Sequence, residues 1–153
     1  MNSLRRFYLQ PAQGPASILF IRLAVGLIFF TQGILKFIDP NLGVLRFAKI
    51  RFPHPCFTSH LVGTFEIICA LLILLGLATR AAAVPLLLVI STAIATTKIP
   101  ELFRPTQGFW YMVSDARRDF AMFCSLIFLI AAGAGSWSLD AQFARQHSRG
   151  VPR

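Results

Sequence analysis

Four apolar stretches dominate this chain: Ala16–Ile38, Leu61–Ala78, Ala81–Thr97 and Phe120–Gly135. A membrane-spanning helix needs about 20 mostly apolar residues, within a range of roughly 17–25. The first stretch reaches that length as it stands. The second does so by starting near Thr58, and the third by letting Lys98 snorkel to the surface. The fourth reaches it from Ser114, whose hydroxyl is placed to cap the first turn. Hydrophobic residues make up 56% of the chain and leave no polar segment large enough for a soluble domain. The pattern predicts an all-α integral membrane four-helix bundle, with helices at about 16–38, 58–78, 80–98 and 114–135 in a domain spanning 16–138. Residues 1–15 read as a basic lead and 139–153 as a basic polar tail. Four spans place both termini on one side of the membrane.

Ala16–Ile38 is too long for a secretory signal, carries Arg22 and Lys36, and has no small-residue cleavage site after it. It reads as a retained helix. Cys56, Cys69 and Cys124 show no paired spacing, and Cys69 and Cys124 lie in apolar runs. They are expected to be small buried side chains rather than disulfides. The net charge of +9 is spread over the segment ends, which excludes a nucleic-acid interface and suits anionic lipid headgroups. The positive-inside rule divides these charges evenly between the two sides. The termini are taken as cytoplasmic.

Asp39-Pro40-Asn41 is expected to end helix one. Residues 42–57 are expected to lie at the interface as a basic, partly apolar loop, broken from helix two by Pro53-His54-Pro55. Thr79-Arg80 joins helices two and three as an antiparallel hairpin, with Thr79 placed to cap helix three and Pro85 near its first turn. Residues 99–113 read as the longest loop, with Phe103, Phe109, Trp110 and Tyr111 as an aromatic belt and Trp137 at the opposite surface.

Glu66 stands alone as a carboxylate within an apolar run. Ionisable groups at membrane depth are rare and usually face a partner or a cavity. Lys36, Glu66, Lys98 and Asp119 fall at the same end of their helices, and their formal charges cancel. Gln32 lies one turn before Lys36, and Arg118 is beside Asp119. Glu66 is therefore expected within reach of Lys36, Lys98 or Arg118. Arg22, Arg80 and Asp140 form a second cluster at the other end, with Arg22 expected to pair with Asp140. Arg22, Gly26, Phe29, Gly33 and Lys36 share one helix face, and the two glycines permit another helix to come close. The six-residue cluster reads either as a clamp that fixes helix register, as a ligand site, or as a proton or ion path. His54, Cys56 and His60 match no defined metal-site spacing, so no metal is expected.

Several short elements occur in a fixed order: Arg22 with Gly26; Gln32-Gly33 with Lys36-Phe37; Glu66; Leu74-Leu75-Gly76-Leu77 with Thr79-Arg80; Lys98; Arg118-Asp119; and Gly133-Ala134-Gly135-Ser136-Trp137-Ser138-Leu139-Asp140. In these the chain resembles the DoxX family of small four-helix bacterial membrane proteins. The resemblance implies a multi-pass protein of the bacterial inner membrane, associated with quinone-linked oxidoreductases and membrane redox complexes. The chain shows no haem or iron–sulfur ligand set, so redox chemistry would need a bound membrane quinone or other subunits of a complex. Two readings follow. One is a quinone-interacting subunit of a membrane oxidoreductase. The other is a non-catalytic accessory or assembly subunit that stabilises a larger complex.

Overall fold

The computed structural model describes residues 15–102 and 108–143. The basic lead up to residue 14, Phe103 of the expected aromatic belt and the basic tail beyond residue 143 lie outside the described residues. The described chain is helical throughout, without a strand. Helix α1 spans Ile18–Ile38, and the short α2 spans Val44–Lys49. Helix α3 spans Pro55–Leu75 and α4 spans Thr79–Ala93. The chain then continues through a π-helical turn, Ile94–Lys98, into the short α5, Ile99–Leu102. Helix α6 spans Gly108–Ala132.

Three of these elements are long and apolar enough to cross a membrane: Ile18–Ile38, Pro55–Leu75 and Thr79–Lys98. Helix α6 is long, but Asp115, Arg117, Arg118 and Asp119 crowd its first half. Helix α1 packs along α3, α3 against α4, α4 against α6, and α6 back against α1. The core between them contains Val25, Phe29, Ile73, Leu86, Leu126 and Leu129. Phe20, Leu27, Phe65, Ile68, Leu71 and Leu88 point outward. Such an apolar exterior belongs against hydrocarbon, since soluble monomers rarely expose apolar patches on this scale.

The tightest contact is the α1–α3 crossing. A Cβ on Gly33 would lie 2.9 Å from the Gly63 carbonyl oxygen, and one on Gly63 would lie 3.2 Å from that of Gly33. Two glycines facing each other let the backbones touch, which is the close-packing device expected where lipid removes the hydrophobic drive between helices. Gly26 makes a similar approach to Leu74.

Several local expectations are corrected. Helix α3 begins at Pro55 rather than near Thr58, because proline is tolerated in the first turn and His54 takes the left-handed conformation just before it. It ends at Gly76, whose left-handed backbone suits a residue without Cβ. Thr79 does not cap α4: its hydroxyl is buried without a partner, and the Asp140 carboxylate accepts the Ala78 N–H instead. Pro85 lies inside α4 rather than in its first turn. Helix α6 starts well before Ser114, so Phe109, Trp110 and Tyr111 are helical and not part of a loop. The Ser114 hydroxyl accepts from Arg117 rather than capping a helix. Cys69 is buried as expected, but Cys124 is exposed on the outer face of α6.

Candidate functional site

The glycine crossing determines what lies one turn away. With α1 and α3 in backbone contact, Lys36 Nζ donates to Glu66 Oε2 at 2.5 Å. The Glu66 side chain is only 4% exposed, so this single strong donor meets a carboxylate that water barely reaches. Of the three partners expected for Glu66, the structure selects Lys36.

Lys98 belongs to a separate network. Its Nζ donates to Asp115 and lies 3.9 Å from Asp119 Oδ2. Arg118 Nε is 3.8 Å from Asp119 Oδ1, with most of the Arg118 side chain exposed. The π-helical turn matters here. It adds a residue to the turn before Lys98, and each residue rotates a helix by about 100°. Lys98 is thereby aimed at α6 and buried. Asp115 falls inside the helix expected from Ser114 but was not among the expected partners of this cluster, and the structure adds it. Its spacing of four from Asp119 was the available signal, since that spacing puts both carboxylates on one helical face.

Between the two networks is a cavity of about 260 Å³. Gln32 and Lys36 of α1, Glu66 of α3, Thr92, Thr96 and Thr97 from α4 and the π turn, and Arg118 and Asp119 of α6 all line it. Ile28, Phe29, Leu88, Val89 and Met122 supply apolar wall. The segment around α2 forms the remaining side through Arg46, Phe47, Ile50 and Phe52. That segment was read as an interfacial loop. The structure instead lays its inner face over the cavity, and the hydrophobic spacing of Phe47, Ile50 and Phe52 was the missed signal. The sequence-derived residues Lys36, Gln32, Glu66, Asp119 and Arg118 therefore meet at one cavity, while Lys98 lies behind the wall. Arg46 is close enough for its charge to act on Glu66. Neither the Arg46 guanidinium nor the Gln32 amide makes a hydrogen bond or ion pair among the described residues.

The second cluster has a different character. Arg22 is 1% exposed and donates to four carbonyls: Ile73 at 2.8 Å, Leu74 at 2.7 Å, Ala134 at 3.1 Å and Trp137 at 2.7 Å. The expected hydrogen-bonded pair with Asp140 does not form. Asp140 contributes charge from nearby and uses its carboxylate on the Ala78 N–H. The physical reason is that the end of α3 and the turns after α6 present unused carbonyls, and a guanidinium fork fits several at once. Arg80 donates separately to the Ala131 carbonyl. Near α2, His60 sits by Cys56, with Nδ1 at 2.7 Å from the Cys56 carbonyl oxygen, and stacks on Phe37 at 5.1 Å between ring centroids. No three His, Cys, Asp or Glu side chains come together among the described residues.

With this geometry in hand, the comparisons with known proteins are specific. The DoxX family profile matches residues 17–99, more than half of the chain and every segment from Arg22 to Lys98. The chain belongs to the DoxX family. It is 46% identical over 140 residues to the uncharacterized membrane protein Rv3486 of Mycobacterium tuberculosis, covering 88% of this chain and 86% of the relative. It is 29% identical over 122 residues to a Bacillus subtilis protein named "Putative oxidoreductase CatD", covering 80% of this chain and 83% of that one. No solved structure matches at a significant level. Family membership and the apolar helices identify a membrane protein. The profile spans the α1–α3 crossing, the Lys36–Glu66 pair and the π turn, while the Asp115–Asp119 half of the site lies beyond its end.

Proposed function

We propose that this DoxX protein is a quinone-interacting subunit of a bacterial membrane oxidoreductase or electron-transfer complex. The observation that carries the reading is the cavity of about 260 Å³ lined by both apolar side chains and the polar groups of Gln32, Lys36, Arg46, Glu66 and Asp119. Drug-sized ligand pockets run roughly 300–1,000 Å³, so this one suits a ring-sized head group better than a large cofactor. A quinone is an apolar ring with a carbonyl oxygen at each side. Lys36, Gln32 and Arg46 are the donors available to such oxygens, and Arg46 and Gln32 have donors to spare. Glu66 and Asp119 are the cavity carboxyl groups able to hold a proton next to them. When bound, a quinone would carry electrons between this subunit and a partner; the chain's own residues would orient it and manage its protons. The oxidoreductase name of the Bacillus relative supports the same class of chemistry.

The arrangement in the membrane belongs to the same proposal. Helix α6, at 25 residues about 37 Å long, crosses as a fourth span, with Asp115 and Arg117 at the surface. The result is a four-helix bundle in the inner membrane, with cytoplasmic termini. Lys49 and Arg51, exposed beside Leu45 and Phe57, meet anionic headgroups. Other subunits of the complex supply the electrons.

The test is Glu66→Gln. It keeps the side-chain shape and still offers an amide oxygen to Lys36. Purified protein is extracted and its lipids and quinones identified by mass spectrometry, and quinone-dependent electron transfer by the host complex is measured at matched subunit content. The expected result is a quinone in the wild-type preparation and loss of most turnover in the variant. Unchanged turnover with no quinone present would favour an accessory or assembly subunit. That second reading draws on Arg22, a buried charge with four of its five N–H donors used in joining helix ends.

A further inference from the structure

Among the described acidic side chains at this end of the molecule, Glu66 and Asp119 face the cavity, and Asp115 is the most exposed carboxylate of the paired network. Glu66 is 4% exposed and Asp119 is 12% exposed at the side chain, whereas Asp115 is 43% exposed. Asp39 is bonded to Asn41 at the end of α1 and takes no part. Asp115 and Asp119 are one helical turn apart on α6, and between them is the Lys98 ammonium, buried and aimed there by the π turn. Lys98 is hydrogen-bonded to Asp115 and waits at 3.9 Å from Asp119, slightly beyond a hydrogen bond. A small rotation about its flexible stem exchanges one carboxylate for the other.

We infer that Asp115, Lys98 and Asp119 form a proton relay joining the water at the start of α6 to the cavity. The inference rests on the quinone reading and adds where the protons enter. Reduction of a bound head group takes two electrons from the partner's redox centre and two protons. For each proton, an O–H bond forms on the ligand as the Asp119 O–H bond breaks. Asp119 is refilled from the Lys98 ammonium. The neutral Lys98 amine takes a proton from Asp115, which exchanges with water. Lys36 and Glu66 face the same cavity from α1 and α3, Arg46 from the α2 segment and Arg118 from α6. Lys36 and Glu66 close on each other, which leaves Lys98 and Asp115 as the paired groups that lead from Asp119 to an exposed carboxylate.

The experiment uses the purified full chain, in excess over a short-chain ubiquinone. Binding is measured by equilibrium dialysis. Bound quinone is then reduced by dithionite, which supplies the two electrons, in a stopped-flow instrument in H₂O and in D₂O. Positioned acids and bases contribute roughly 10²–10⁴-fold to rate, so Asp115→Asn and Lys98→Met are expected to slow reduction roughly 10–100-fold or more. Binding should stay unchanged, because neither side chain lines the cavity. Asp115→Glu should restore the rate, and the D₂O effect should grow in Asp115→Asn. A purely structural clamp would lower thermal stability without altering the rate or the isotope effect of the protein that stays folded. Quinone bound with the wild-type rate in both Asp115→Asn and Lys98→Met overturns the relay alone. No quinone bound to the wild type overturns the quinone reading and the relay with it.

Discussion

Arg22 and Lys36 are on one face of one helix, and they show two ways to keep a cation inside a membrane protein. Arg22 has committed four of its five N–H donors: carbonyls from the end of α3 and the turns after α6 surround it, and it is 1% exposed. Lys36 has a single carboxylate partner among the described residues, and the pair faces a cavity also lined by Arg46 and Gln32, whose donors make no hydrogen bond among those residues. A saturated buried charge holds helix ends in register. An unsaturated one next to empty space has capacity left for a ligand. Both carry a cost of desolvation, but only the second arrangement leaves interactions to be completed by something else.

The comparison predicts different losses. Arg22→Met should be the most damaging change, because it removes the group that satisfies four carbonyls at once. A loss of about 3–5 kcal/mol is expected, as for breaking other buried charged networks. Thermal unfolding in detergent measures it. Arg22→Lys should recover only part, since an ammonium cannot reproduce the planar fork. Full stability in Arg22→Lys would break the distinction between the two cations.

Glu66→Ala should come next, at about 1–3 kcal/mol, the usual cost of stranding one buried partner. The stranded Lys36 faces a cavity rather than packed side chains, which is why the loss should be smaller than at Arg22. The same melting measurement decides, and a loss equal to that of Arg22→Met would mean that the cavity stays dry.

Gly33→Ala tests the crossing that brings the pair together. Its Cβ would meet Ile67 Cγ1 at 2.7 Å and the Gly63 oxygen at 2.9 Å, so α1 and α3 must separate. Overpacking of this kind costs about 1–3 kcal/mol. Crosslinking between cysteines placed at Ile34 and Phe65 should weaken in the variant, and quinone retention should fall with it. Retention at the wild-type level would show that the site tolerates a wider crossing.

Arg46→Gln should change stability least, within about 0.5 kcal/mol, because the guanidinium has no hydrogen-bonded partner among the described residues to strand. Its effect should appear in ligand retention instead. A melting loss comparable to Glu66→Ala would move Arg46 from the ligand side of the comparison to the structural side.

The depth of Lys36, Glu66, Lys98 and Asp119 could be read along the chain, because rise per residue converts sequence position into height in a membrane helix. So could the small-residue face formed by Gly26 and Gly33. Pairing could not be read in the same way. Nothing in the local sequence says that Glu66 meets Lys36 rather than Lys98, because that depends on which helices are neighbours. The π turn was invisible for a related reason: Ile94–Lys98 has ordinary helix-forming and β-branched residues, and the extra residue is accommodated through packing against α6. Arg46 looked like a headgroup-binding residue because the fold-back of α2 over the cavity depends on Gly43, where a Cβ would lie 2.3 Å from the Lys36 oxygen.

The sequence by itself determined that the chain is helical and apolar, where its charges lie along each helix, and that α1 can be approached closely. These are properties of composition and of a fixed helical period. The tertiary structure decided which charges share a cavity, which are closed off by carbonyls, and that Asp115 as well as Asp119 pairs with Lys98. Such outcomes depend on the azimuth and neighbour of each helix, and a shift of one residue, about 100° around the axis, is enough to change them.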